Sequence, residues 1–188
     1  MGGRIKEKLE DCPVIAAIKD KDGLEECLKS DCSIVFILYG DIMNIASIVE
    51  RVKAGGKLAM VHMDLIAGLG SREVSVDFIH TAAGADGIIS TKPALIRRAK
   101  ELKLYTVMRF FVIDSMAIDT IPRQCEQAHP DCIEILPGVM PKVIRRIAQA
   151  VREPVVAGGL IVDKEDVMAA LDAGAVSIST TNRLLWYA

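Results

Sequence analysis

Hydrophobic positions along the chain gather into short, nearly unbroken runs separated by amphipathic stretches, and this alternation repeats from end to end. The apolar runs begin at positions 14, 34, 58, 88, 105, 133, 155 and 176, at intervals of 17 to 30 residues. VIAAI after Pro13 and IVFILY from Ile34 lack the in-out alternation of a sheet with one wet face. They predict parallel strands covered on both faces, each feeding a helix. The spacing predicts helices over 3–11, 22–29, 44–53, 72–83, 94–102, 115–127, 140–152 and 167–171. Punctuation agrees with these bounds. Gly55-Gly56 follows the third helix as a stop, and Pro93 stands at the first turn of the fifth. Asp163 is placed to cap the last helix, with Asp166 three residues on in the capping-box position, while Pro122 weakens 115–127.

Eight strand-helix units in 188 residues predict an α/β fold, a compact single-domain (β/α)8 TIM-type barrel over 1–188. A short N-terminal helical segment within 1–12 offers Ile5 and Leu9 to plug one end, and 182–187 leaves only a truncated last helix. A doubly wound open sheet of flavodoxin type is the competing architecture and normally uses fewer strands.

A hydrophobic content of 51% in 188 residues suffices for one full core. The longest apolar run, 34–39, is far below spanning length, and the opening MGGRIKEKLE has no hydrophobic signal region. Myristoylation at Gly2 would want Ser or Thr where Lys6 stands. A soluble, cytoplasmic protein without a membrane partner is expected. Net charge −2 gives no global attraction to nucleic acid, so any RNA contact needs a local basic face. Five cysteines, odd in number and without a C-x-x-C pair, read as buried reduced thiols and not as redox or zinc chemistry.

Candidate chemistry concentrates where strands end. Gly158 and Gly159 close the seventh strand, and Ser179, Thr180, Thr181 and Asn182 close the eighth. Loops after strands seven and eight are the usual phosphate site of such barrels, because bare N–H groups and hydroxyls collect there. Lys19, Lys92 and Arg109 fall at strand ends on the same face, a set of cations suited to a phosphate dianion. The competing reading pairs them with Asp20, Asp41 and Asp114 on the surface. His62 and Asp64, two apart on the third strand, could start a metal site, but the other histidines, His80 and His129, lie in a helix and a loop. They read instead as hydrogen-bonding groups for a polyol hydroxyl, with no metal and no cofactor. Glu134 on strand six is either the base of a phosphosugar enzyme or a core partner of Arg109. No lysine lies in strand six, against a Schiff-base aldolase. Basic helix faces occur at Lys142, Arg145, Arg146 and Arg152, and at Arg97, Arg98, Lys100 and Lys103, and such faces are ordinarily just solvated.

The runs GDI at 40–42, VHMDLIAGLG, DGIISTKPALI, RFFVIDSMAI, IEILPGVMPK, VVAGGLI and AGAVSISTTNRLLW together resemble the glycerol-3-phosphate-responsive antiterminator family, over almost the whole chain and in order. The resemblance implies a (β/α)8-type barrel that senses glycerol 3-phosphate and binds the leader mRNA of a glycerol-utilisation operon, favouring antitermination. It maps the phosphate cup onto Gly158, Gly159, Ser179, Thr180 and Asn182. It carries further ligand contacts onto Lys19, His62, Asp64, Ser90, Thr91, Lys92, Arg109 and Glu134. For the RNA it implies, the residues offer Lys142, Arg145 and Arg146, the basic helix nearest the mouth. Val162 stands where the family often has arginine, Met108 where it has glutamine, and Pro93 where serine would follow STK. Two readings follow: a regulator with no catalytic residue, and a phosphosugar isomerase or epimerase on the same scaffold. A homo-oligomer stays open.

Overall fold

The computed structural model describes residues 2–187; of the spans 1–12 and 1–188 read from the sequence, positions 1 and 188 lie outside the described residues. Eight strands, β1 (Val14–Ile18), β2 (Ile34–Ile37), β3 (Leu58–His62), β4 (Gly87–Ser90), β5 (Tyr105–Phe111), β6 (Cys132–Leu136), β7 (Val155–Gly158) and β8 (Ser177–Thr180), follow each other in space as in sequence. Every neighbouring pair is parallel, and β8 returns to β1 with Val14 opposite Ile178 and Ala16 opposite Thr180. The sheet is therefore a closed barrel and not an open doubly wound one.

Outside it stand α2 (Lys21–Cys27), α3 (Ile45–Ala54), α4 (Glu73–Thr81), α5 (Pro93–Glu101), α6 (Ser115–Ala128), α7 (Pro141–Ala150) and α8 (Lys164–Asp172), and a 3₁₀ turn, Arg183–Tyr187, follows β8. Among the described residues no helix is long and apolar enough to cross a membrane.

Strand periodicity divides the apolar residues into two cores. Val14, Ala16, Ile18, Val35, Ile37, Val61 and Ile133 face the helices. Ile15, Ala17, Ile34, Phe36, Met60, Ile89, Val107, Cys132 and Val156 pack together inside the barrel. The N-terminal helix α1 (Gly2–Asp11) adds Ile5 and Leu9, each 1% exposed, to that inner set. α1 thus closes the N-terminal end of the barrel, as its two apolar positions lead one to expect.

Local chemistry fixes the ends of the elements. Asp20, Asp114 and Asp163 accept the N–H of Gly23, Ala117 and Asp166 and so cap α2, α6 and α8. Asp166 does not return the bond to the cap residue as a capping box would; its Oδ2 accepts the N–H of Val162, one residue earlier, at 2.9 Å. α8 also begins earlier than the apolar positions from 167 suggest, and α6 runs through Pro122 to Ala128. β3 ends at His62, so Asp64 lies past the strand in a 3₁₀ turn, Met63–Leu65, and does not share its face.

Candidate functional site

The parity that sends Ile15, Met60, Val107, Cys132 and Val156 inward also sends inward the residue two positions on, toward the C-terminal strand ends. Those residues are Ala17, His62, Arg109, Glu134 and Gly158, and Ser179 joins them from β8. A polar level thus sits above the apolar filling.

Its centre is an ion pair. Glu134 is fully buried and Arg109 is 7% exposed. Arg109 Nε donates to Glu134 Oε2 at 2.5 Å, and Ser179 Oγ donates to Oε1 at 2.5 Å. Both carboxylate oxygens are held, which is what a charge so far from water requires. Gly158 is glycine because of this pair: a Cβ there would stand 2.5 Å from both Glu134 Oε1 and Ser179 Oγ. Of the two predicted cup glycines it is the one beneath the site.

Above the pair opens a cavity of about 440 Å³. Arg109 and Glu134 form its floor, Gly159 to Val162 and Ser179 to Asn182 one wall, and Leu136, Ala17 and Leu38 the rest. The two loops are fastened to each other, since Thr180 Oγ1 donates to the Ile161 carbonyl at 2.9 Å and Asn182 Nδ2 to that of Val162 at 2.6 Å. The Asn182 N–H is spent internally on Thr180 Oγ1 at 3.0 Å, and the Val162 N–H on Asp166. No hydrogen bond among the described residues uses the N–H of Gly159 or Thr181. The Leu160 and Ile161 N–H groups are likewise unused, so the β7 and β8 loops together offer an anion several bare donors. Gly159 has φ +76° and Leu160 φ +62°, a left-handed backbone that a branched-chain residue adopts at a cost.

The remaining candidates form a second cluster, around Asp64 at the ends of β3 and β4. Asp64 accepts from Ser90 Oγ at 3.2 Å, the Thr91 N–H at 3.0 Å and Lys92 Nζ at 2.8 Å. Lys92 Nζ also reaches Ser71 Oγ at 2.5 Å. Burial alone would raise the Asp64 carboxyl, but the Lys92 ammonium and Thr91 N–H outweigh it and hold it below its ordinary value. His62 is 3% exposed, and its Nδ1 is buried without a hydrogen-bond partner. Burial first, and the Arg109 charge second, hold its pKa down to about 4, so the ring is neutral near pH 7. His62, Asp64, Ser90, Thr91 and Lys92 do not line the cavity, nor does Lys19, exposed just past β1. The structure therefore divides the strand-end residues into a cavity group and a neighbouring cluster. Among the described residues the alternative surface pairings do not form either: Asp20 bonds Arg183, Asp41 bonds the Met43 and Asn44 N–H groups, and Asp114 caps α6.

On α7, Lys142, Arg145 and Arg146 are exposed. Arg146 pairs with Asp119 at 2.8 Å, both largely in solvent, and Arg145 reaches the Asp172 carbonyl at 3.4 Å. The α5 face is more fully neutralised, with Arg98 on Asp77 and Glu101 and Lys100 on Asp131.

Polar residue types led the sequence reading to the cup but missed its apolar wall: Ala17, Leu38, Leu136, Leu160 and Ile161. Inward parity would have found Ala17. For Leu160 no signal exists, because its placement depends on a left-handed φ. Of the three departures from the family pattern only Val162 lines the cavity; Met108 is buried in the outer core and Pro93 opens α5.

Comparison with known proteins fits this geometry. The "Uncharacterized protein YgcP" of Escherichia coli (strain K12) is 43% identical over 174 residues, 93% of this chain and 91% of that protein. The crystal structure of the glycerol uptake operon antiterminator regulatory protein from Listeria monocytogenes str. 4b F2365 superposes with a TM-score of 0.88 at 35% identity, covering 92% of this chain and 94% of that one. The glycerol uptake operon antiterminator-related protein from Thermotoga maritima MSB8 gives 0.82 at 37%, covering 93% and 98%. Enzymes with barrels of this kind, at 14% to 18% identity, share the fold alone. Residues 14–186 match the family described as Glycerol-3-phosphate responsive antiterminator. The chain belongs to that family.

Proposed function

We propose that the chain is a transcription antiterminator that binds glycerol 3-phosphate in the mouth cavity and, so loaded, binds the leader mRNA of a glycerol-utilisation operon. One observation carries the ligand half: a cavity with a guanidinium in its floor and uncommitted loop N–H groups in one wall. The phosphate sits against the Gly159 and Thr181 N–H groups, where loop dipoles favour an anion. Arg109 gives its Nε to Glu134, and its Nη groups are the donors that remain for the ligand. Ser179 and Glu134 lie where hydroxyls of a three-carbon polyol would fall.

The RNA half rests on the family and on one connection. β6 carries Glu134, contributes Leu136 to the cavity wall and leads into α7, where Lys142, Arg145 and Arg146 are exposed. A ligand that moves the β6 end moves the start of that basic helix.

Glu134 already accepts from two donors, so it is a poor proton abstractor, and ligand turnover is not part of this reading. The test is fluorescence anisotropy of a labelled leader hairpin with and without glycerol 3-phosphate, beside NMR of the ligand pool. Affinity for RNA should rise with ligand, and affinity for ligand should rise with RNA by the same factor. Conversion of glycerol 3-phosphate, dihydroxyacetone phosphate or pentose phosphates at an enzyme-like rate, with unchanged RNA affinity, would replace the regulator by a phosphosugar isomerase or epimerase.

A further inference from the structure

At the opposite end of the barrel the fold brings together two thiols that lie far apart in sequence. Cys12 directly follows α1, and Cys32 stands just before β2. Both line one cavity of about 180 Å³, together with Asp11, Pro13, Asp31 and Trp186. The Cys12 sulfur lies 3.2 Å from the Val14 carbonyl and 4.0 Å from that of Asp31, the peptide that leads into Cys32. The Cys32 thiol is the chief influence that holds the Cys12 thiol below its ordinary value, against the opposing effect of burial. Ser33 Oγ, on the residue after Cys32, is buried without a hydrogen-bond partner. A hydroxyl left bare in the interior is costly unless the adjacent sulfur carries negative charge or gains an oxygen.

The other three cysteines, Cys27, Cys125 and Cys132, are buried. Cys12 is only part-buried, whereas Cys32 is 2% exposed and donates to the Trp186 carbonyl at 3.6 Å. One thiol is reachable, the other sits behind it.

We propose that Cys12 and Cys32 form a hydroperoxide-reactive dithiol in which Cys12 attacks the oxidant and Cys32 resolves it to an intramolecular disulfide. The Cys12 thiolate takes the terminal oxygen of ROOH; the O–O bond breaks and leaves as ROH after gaining a proton, and Cys12 becomes a sulfenic acid. The Cys32 sulfur, losing its proton, attacks the Cys12 sulfur; the S–S bond forms, the S–O bond breaks and water leaves. Two thiols are oxidised by two electrons, and the hydroperoxide is reduced to alcohol and water. The nearness of the two thiols lowers Cys12 and raises Cys32, the division of labour the two steps need. The bridge pins the α1–β1 junction to the loop before β2. It also takes the Cys32 donor from Trp186, whose Nε1 bonds the carbonyl of cavity-lining Thr180.

Treating the full chain with a small excess of hydrogen peroxide, capping residual thiols with N-ethylmaleimide and mapping peptides without reductant tests this. The expected result is loss of two cappable thiols, a linked Cys12–Cys32 peptide and reversal by dithiothreitol. Its rate should stay flat from pH 8 to 6, where an ordinary thiol slows about tenfold per unit. Cys12→Ser should keep every other thiol reduced, and Cys32→Ser should stop at a dimedone-trappable Cys12. Failure of wild type to form the link at peroxide levels that oxidise the urea-unfolded chain would overturn the proposal. So would Cys12 linking only between molecules.

Discussion

Arg109 and Glu134 are register partners on adjacent strands β5 and β6, and the charge each carries is cancelled by the other inside the barrel. Removing one partner strands the other. Glu134→Gln and Arg109→Met should each cost about 3–5 kcal/mol in urea unfolding, because a buried charge is left uncompensated. The double variant Arg109→Met/Glu134→Leu should cost clearly less than the sum of the singles. Strict additivity would mean that the two charges do not depend on each other.

Gly158→Ala tests the space beneath the same pair. The added methyl meets Glu134 Oε1 and Ser179 Oγ, and overpacking of this kind costs about 1–3 kcal/mol. Adding Ser179→Ala removes one of the two obstacles and should recover part of the loss. No recovery in the double variant would show that the clash is with the carboxylate alone.

The buried imidazole of His62 predicts a pH dependence. Its folded pKa of about 4 lies below the ordinary value of 6.5, so the unfolded chain takes up the proton first. Stability attributable to His62 is complete above about pH 6.5, falls as pH drops toward 4 and then levels off. The span corresponds to roughly 3 kcal/mol. Carboxylates titrate in the same range, so the quantity to follow is wild type minus His62→Gln by urea unfolding at each pH. A difference that does not change between pH 7 and 4 would place the ring in contact with water.

Glycerol 3-phosphate at about a hundredfold over its Kd should add roughly 2.7 kcal/mol, or on the order of 5 to 11 °C in Tm, and glycerol alone should add nothing. Val162→Arg puts a cation on the cavity wall where the family often has one, and should tighten the phosphate ligand roughly tenfold. Isothermal titration reads the change directly. Weaker binding in this variant would locate the phosphate away from the β7 loop.

Leader RNA affinity should fall with salt, and neutralising Arg145 and Arg146 together should reduce the slope by up to ~2. Arg146 is already paired with Asp119, so Asp119→Ala should strengthen RNA binding if that arginine takes part. An unchanged slope would move the RNA surface off α7.

The barrel was legible from sequence because its cause is local: strands covered on both sides cannot hide their apolar runs, and eight such runs start within a residue or so of the observed strands. Asp163 caps a helix through its own side chain, and Pro93 and Gly55 stand at helix ends, so these too read directly, whereas the caps Asp20 and Asp114 were read as surface partners of the cations. What depends on distance in the chain read out only in part. Glu134 was legible as a core partner of Arg109, but the turn of Asp64 toward Lys92, decided by where β3 stops, was not. Cys12 and Cys32 offer no motif, and only the closing of the barrel makes them neighbours. Glycines were legible as breaks in pattern, but the reason for Gly158, a carboxylate from another strand, was not.

Because α1 stoppers the barrel and apolar side chains pack together inside it, the mouth cavity is a blind well. A molecule in such a well leaves by the way it came, and a second one cannot push it out from behind. Exchange of one ligand for another must therefore wait for an empty intermediate, and its rate is the departure rate of the first, whatever the concentration of the second. The Gly159–Val162 and Thr180–Asn182 loops flank the cavity, and their two fastenings, Thr180 to Ile161 and Asn182 to Val162, oppose any parting of that side. How long such bonds hold decides how quickly the protein can register that its surroundings have changed.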